Sequence, residues 1–236
     1  MRDIASKILN VEDAERFARR RLPRIVAELI SEPSEQGITA HANLEAFQEV
    51  GFRPRAAVFF PERDTSTTAL GHPISLPVII SSVGRIRTHH VSGEPAVARA
   101  AGAAGTIQFV SCLTGYSIEE VVAAASGPIF FQLYLPGGRA NAEVMIDRAR
   151  RAGCSGLVVT VDLPNVTEKV SFVPADGSVR DTVGPIPASI NLRTILSFAP
   201  KVITKPAWLF DFLRDGMRID TPMWLDPQGK PHSLYD

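Results

Sequence analysis

The sequence predicts an α/β chain: an incomplete TIM (β/α)8 barrel of about four β/α units behind an amino-terminal helical and lid extension. Three observations predict it. From residue 77 onward, short apolar runs alternate with helical patterns, as βαβ units do when they build a parallel sheet. The run PVIISS (77–82) lacks polar alternation, as a strand covered on both faces does, and TIQFVS (106–111), IFFQLY (129–134) and GLVVTV (156–161) read as the second, third and fourth strands. No GxGxxG follows the first run, which argues against a dinucleotide-binding doubly wound sheet. The alternation stops after Asp162. A complete barrel needs roughly 250 residues of its own, so half a barrel is expected to fit.

Taken in order, residues 10–31 read as helix, with Val11, Ala14, Phe17 and Ala18 at helical spacing and Ile25, Val26, Leu29 and Ile30 resuming it. Pro23 lies between the two sets and is expected to start a second helix. Thr39 to Phe47 reads as a short helix with Thr39 as N-cap, and 52–76 as an extended, turn-rich lid or entry segment. Helices are expected at 94–104 and 117–125, the latter opening on a Ser117/Glu120 capping box, and again at 142–152. Beyond 164 the chain reads as Pro-rich loop with helices near 191–198 and 205–215 and no further apolar strand. The expected divisions are residues 1–76 (helical and lid extension), 77–163 (first half of the barrel) and 164–236 (loop and helical insert).

Lysine plus arginine and aspartate plus glutamate each number 25, so the formal net charge is zero, which gives no support to nucleic-acid or anionic-membrane binding. The cluster Arg19, Arg20, Arg21 and Arg24 spreads around a helix and reads as a solvated helix end. Cys112 and Cys154 are isolated in apolar surroundings, so reduced thiols are expected rather than a disulfide framework or a zinc site, and no metal is expected. The first residues lead into a charged helix rather than an apolar signal, and no run of eighteen apolar residues occurs; the expected location is cytoplasmic.

An ordered set of stretches carries a family resemblance: RRLPRIVAELI (20–30), NLEAF (43–47), FRPR (52–55), DTSTTALGHPISLPVII (64–80), GEPAVARAAGAAGT (93–106), SIEEV (117–121), FFQLY (130–134) and RARRAGCSGLVVTVD (148–162). Together they resemble the FMN-dependent 2-hydroxy-acid dehydrogenase/oxidase family of glycolate oxidase and lactate dehydrogenase flavoenzymes. INLRTILSFAPKVITKPAWLFDF (190–212) resembles the insert after the family's fourth strand. Three stretches, SEQGITAHANLEAFQEVGF, SLPVIIS and INLRTIL with TKPAWL, look most like the branch that works on a peptide-derived substrate in mycofactocin maturation.

The resemblance implies FMN as cofactor and oxidation of a 2-hydroxy acid, or a related amine or amide, by proton abstraction coupled to hydride transfer. It puts Ser111 on the flavin ring or ribityl chain, and Gln132 and Thr160 on the pyrimidine edge. Val83 and Gly84 would lend backbone to flavin N5, and Tyr134 would be the catalytic-site phenol facing the substrate. A flavin edge needs neutral donors and acceptors in an apolar slot, which these side chains can supply. Alternatives stay open. Ser111 and Thr160 could be strand hydroxyls bonded to backbone, and Tyr134 a barrel-rim aromatic. Gln132 is the stronger signal, because an amide inside Phe-Phe-Gln-Leu-Tyr needs a buried partner.

The chain also departs from the family pattern. Arg85 stands where an apolar or small residue is usual, either near the flavin or on a solvated surface. The family's substrate-binding tyrosine falls at Ala27, and Asn165 replaces an arginine found in many members. His89 and His90 match no catalytic position. The family's base, its arginine partners, a flavin-activating lysine and the phosphate-binding turn all follow strands five to eight, which this reading does not find in the sequence. The chain is therefore expected to be an amino-terminal portion of such an enzyme that binds FMN poorly by itself. The rival reading is a non-catalytic flavin-binding or assembly partner. With strands 78–82 and 156–161 as sheet edges, it is expected to be a homo-oligomer or partner-dependent.

Overall fold

Helix α1 (Val11–Arg21) starts where Asn10 accepts a hydrogen bond from the Asp13 N–H (2.8 Å). Glu12 and Asp13 lie in its first turn and Arg19 to Arg21 in its last, matching the helix dipole at both ends. Pro23 separates it from α2 (Arg24–Ser31), as the sequence requires. These helices belong to a computed structural model that describes residues 5–31, 33, 36–59, 61–135, 138–161, 202–218, 221–225 and 231–232. Helix α3 (Ile38–Ala46) begins at Gly37, whose φ of 74° places it in the left-handed region. The expected Thr39 cap is thus corrected: the turn is made by backbone freedom, with no side-chain cap bond.

Strands β1 (Thr67–Ala69) and β2 (His72–Ile74) form an antiparallel hairpin turned by Leu70 and Gly71, both at positive φ. Ile74 packs with Ile107 and Phe130, at the amino-terminal ends of the parallel strands. This corrects the lid reading for this stretch: the hairpin floors the sheet at the end opposite Ser111 and Gln132. Next come α4 (Ile86–His89), α5 (Gly93–Ala103), β3 (Gln108–Ser111), α6 (Ile118–Ala124), β4 (Ile129–Leu133), α7 (Gly138–Ala152) and β5 (Gly156–Val159). Helix α6 carries the expected capping box, with the Glu120 N–H donating to Ser117 Oγ (3.3 Å) and the Ser117 N–H to Glu120 Oε2 (2.9 Å).

Strands β3, β4 and β5 are parallel and adjacent in that order, with Ser111 beside Gln132 and Gln132 beside Val158. Between them and helices α5, α6 and α7, Val110, Phe131, Leu133, Ile118, Val121 and Met145 make the main core. The first expected strand, 77–82, is reduced to one parallel bridge, Ile80 to Gln108. The Val78 carbonyl accepts from the Thr106 hydroxyl, and the Val78 N–H donates to Leu76 O (2.8 Å). On β5, Leu157 and Val159 are 43% and 51% exposed.

Helix α8 (Pro206–Arg214) starts on a proline at its first turn and packs Trp208 against Leu22, Val26 and Ala27. Lys205 Nζ donates to the last-turn carbonyl of Arg20 (2.6 Å), and Arg21 pairs with Asp211 (2.6 Å). The arginine cluster is therefore partly an internal docking surface. Strands β6 (Thr221–Leu225) and β7 (Pro231–His232) form a second antiparallel pair that the sequence reading missed. The expected helix at 191–198 and Asn165 lie outside the described residues. No helix among the described residues is long and apolar enough to cross a membrane.

Candidate functional site

Parallel strands carry their alternate side chains to the same face, so polar residues directly opposite or two residues apart on neighbouring strands can meet. At the carboxyl ends of β3, β4 and β5 this brings together Ser111, Gln132 and Thr160. Ser111 Oγ donates to Gln132 Oε1 (3.0 Å), and Gln132 Nε2 donates to Thr160 Oγ1 (2.6 Å). The Leu113 N–H in turn donates to Ser111 Oγ (3.1 Å). Ser111 and Gln132 are each 3% exposed, while Thr160 is half-buried. The side chains thus bond to one another across three strands rather than to strand backbone alone.

The loop carrying Val83 and Gly84 passes directly over this group. A Cβ on Gly84 would lie 3.1 Å from Leu113 Cβ and 3.6 Å from Ser111 Oγ, so a side chain there would crowd the strand end. The Arg85 N–H donates to Leu113 O (2.9 Å), which stitches the loop to the one after β3. Val83 is exposed and Arg85 is half-buried, its φ of 59° in the left-handed region immediately before α4. Tyr134 follows the last residue of β4. The strand alternation stops at Leu133, and the half-buried Tyr134 packs in part against the cluster that contains Cys112 and Leu133. Its N–H points to Cys112 Sγ (3.4 Å).

The donor set fits the ring edge of a flavin. An amide has two N–H groups and a carbonyl with two lone pairs, and the bonds above use one of each. The Thr160 hydroxyl, already accepting, still carries its own proton. Neutral, buried, mutually oriented groups are what a polar ring edge in an apolar slot requires. Among the described residues, no group of three or more His, Cys, Asp or Glu could hold a metal.

Both histidines of interest are tied down locally through Nδ1. His90 is exposed and its Nδ1 accepts from the Ser92 N–H (3.1 Å). His89 Nδ1 lies 3.1 Å from the Arg85 carbonyl, and burial lowers its pKa, keeping it neutral near pH 7. A carbonyl can only accept, so Nδ1 carries the proton. Ala27 is 6% exposed beneath Trp208, so no hydroxyl reaches the site from that position.

Two residues near the site were missed. Glu94 is fully buried and accepts backbone N–H groups from both flanking loops, at Ile86 (3.0 Å) and Gly115 (3.1 Å). Arg87 forks onto Asp215, with both N–O distances 2.7 Å. An acid in a helical first turn reads in sequence as a dipole partner, whereas the donors it serves are backbone amides 8 and 21 residues away.

A family model described as FMN-dependent dehydrogenase matches residues 18–228. The chain is 43% identical over 202 residues to pre-mycofactocin synthase of Mycobacterium tuberculosis, covering 85% of this chain and 48% of that protein. It is 38% identical over 160 residues to glycolate oxidase 5 of Oryza sativa subsp. japonica, covering 68% and 43%. The crystal structure of the monotopic membrane protein (S)-mandelate dehydrogenase superposes with a TM-score of 0.80 at 27% identity, covering 95% of this chain and 57% of that one. The chain spans about half the length of the curated relatives it matches.

Proposed function

Because the chain belongs to the FMN-dependent dehydrogenase family, we propose that it supplies the ring-binding part of an FMN-dependent oxidoreductase. The observation that carries the reading is the Ser111–Gln132–Thr160 chain of bonds at the strand ends. In it, Gln132 holds a donor and an acceptor toward the ring edge, Thr160 adds a hydroxyl, and Ser111 fixes the amide's orientation. The backbone at Val83 and Gly84 allows the ring a close approach. Tyr134, at the rim, orients the substrate through its hydroxyl. FMN, when bound, supplies a two-electron acceptor for the oxidation.

The substrate class we infer is a peptide-derived amine or amide of the mycofactocin-maturation type rather than a small 2-hydroxy acid. Ala27 supports this, because it offers no hydroxyl to a substrate carboxylate and is closed over by Trp208. The identity to pre-mycofactocin synthase, 43% over 202 residues, also exceeds that to glycolate oxidase, 38% over 160.

Titration of the chain with FMN, followed by quenching of flavin fluorescence, tests the cofactor reading. Neutral hydrogen bonds of about 0.5–1.5 kcal/mol each, added to apolar burial of the ring at about 25 cal/mol per Å², predict saturable but weak binding, roughly micromolar or above. Absence of saturation up to millimolar FMN would refute it. Anaerobic bleaching of the bound flavin by lactate, glycolate or mandelate would refute the substrate class. The exposed Leu157 and Val159 also support assembly with a second copy or a partner through β5, and a compact monomer in sedimentation at micromolar concentration would contradict that.

A further inference from the structure

A buried carboxylate with no cation against it is expensive, so its hydrogen bonds report what it is kept for. Glu94 has one oxygen, Oε1, that accepts the N–H of Ile86 and the N–H of Gly115. These amides belong to different loops. One loop carries Val83 and Gly84 into α4; the other leaves β3 just after Ser111. Burial pushes the Glu94 carboxyl up, and the two N–H groups work against that rise.

Arg87 grips Gly115 from its other side, Nη1 donating to Gly115 O (3.0 Å). Its guanidinium lies 4.0 Å over the Tyr116 ring, and the Tyr116 hydroxyl donates to Val91 O (2.5 Å). The ring fills the space a Cβ on Gly93 would need, at 2.8 Å, which is why α5 begins on glycine at φ 40°. The outer edge of the guanidinium forms its two-pronged pair with Asp215, the residue that follows α8. With Arg87 only 8% exposed, that fork is the anchor of the whole arrangement. Trp208 Nε1, donating to Thr88 O (3.1 Å), fixes α8 to α4, the helix that follows the loop.

We propose that Glu94, Arg87 and Asp215 are positioning residues that hold the loop of Val83 and Gly84 over Ser111, and that the α8 segment is the strut on which this hold depends. The proposal rests on the reading of that loop as flavin-facing. Without Asp215, Arg87 would lose the two-pronged pair that orients its guanidinium, and its hold on Gly115 would loosen. Without the Glu94 carboxylate, two loop amides would lose a charge-assisted acceptor.

The test is backbone amide exchange on the full chain, read by mass spectrometry for Asp215→Asn, Asp215→Glu, Arg87→Lys and Glu94→Gln, with thermal melts and riboflavin titrations of the same samples. Asp215→Asn and Glu94→Gln should speed exchange at 84–88 and 113–116 by about tenfold, leaving 129–133 unchanged. Asp215→Glu should restore protection to within about threefold. Arg87→Lys should not, because an ammonium cannot form the fork. In Glu94→Gln, whose shape is conserved, riboflavin binding should weaken by about fivefold or more with the melt nearly unmoved. Unchanged exchange in both loops, uniform acceleration that includes 129–133, or full protection in Arg87→Lys would overturn the strut. Loop exchange that responds as stated in a wild-type chain that binds no riboflavin would instead overturn the flavin reading and leave the strut standing.

Discussion

Replacing Gln132 with leucine separates a role in the fold from a role toward a ligand. Gln132 is 3% exposed and makes two side-chain bonds, to Ser111 (3.0 Å) and Thr160 (2.6 Å). Each such bond contributes about 0.5–1.5 kcal/mol net, so the loss is about 1–3 kcal/mol. Ser111 Oγ keeps the Leu113 N–H, and the half-buried Thr160 hydroxyl can turn toward water, which holds the loss near the low end. A buried leucine side chain returns about 1.5–3 kcal/mol of apolar transfer energy relative to an exposed one. The two nearly cancel, and the melting temperature should move by no more than a few degrees. A ring held by the same amide loses its donor and acceptor with no such compensation. At 1.4 kcal/mol per tenfold, about 1–3 kcal/mol is a fall of roughly 5- to 150-fold in affinity. The assay is fluorescence titration of wild type and variant with riboflavin and with FMN, beside thermal melts. Both ligands should weaken by the same factor, because the perturbation is at the ring edge they share. An affinity change below about twofold in a folded variant would refute the reasoning.

Two further predictions come from charged and thiol groups. The Arg87 hydrogen bonds hold the Asp215 carboxyl below its ordinary value of 3.8, so the pair's stabilisation is fully present above that pH and is lost as pH falls through the lowered value. Asp215→Asn should therefore cost on the order of 2–3 kcal/mol at pH 7 in denaturant melts, and the gap to wild type should close on acidification below 3.8; a gap independent of pH would contradict the pairing. Burial first, and then the Glu119 carboxylate, push the Cys154 thiol up to about 11. In the folded chain at pH 7.5 it should alkylate far more slowly than a free thiol and match one only after denaturation, as read by mass spectrometry of iodoacetamide adducts.

Much of the sheet was legible because burial on both faces leaves an unambiguous apolar run, as at Ile129–Leu133, where every residue is buried. The Ser117 capping box and the break at Pro23 were legible because each is a local rule. The first strand was not, because no local rule shows that the Val78 carbonyl takes the Thr106 hydroxyl from 28 residues away. The β6 pair was hidden by Pro222 inside TPMWL, a residue that normally argues against a strand. In the site, Gln132 announced itself as a lone amide in an apolar strand. Tyr134 followed the same alternation on paper, but the strand ends before it, and its ring packs in part against the Cys112 cluster. Glu94 and Arg87 gave no signal, because their partners are loop backbone and a residue 128 positions distant.

The central claim, that the Gln132 amide faces a flavin ring edge, is tested most directly by following the side-chain N–H resonances of Gln132 during riboflavin titration. Assignment follows from the pair of amide signals that disappears in Gln132→Leu. The account predicts that both signals shift and saturate with the same dissociation constant as the fluorescence quenching. Saturable riboflavin binding that moves other signals and leaves the Gln132 side-chain amide unshifted would contradict it.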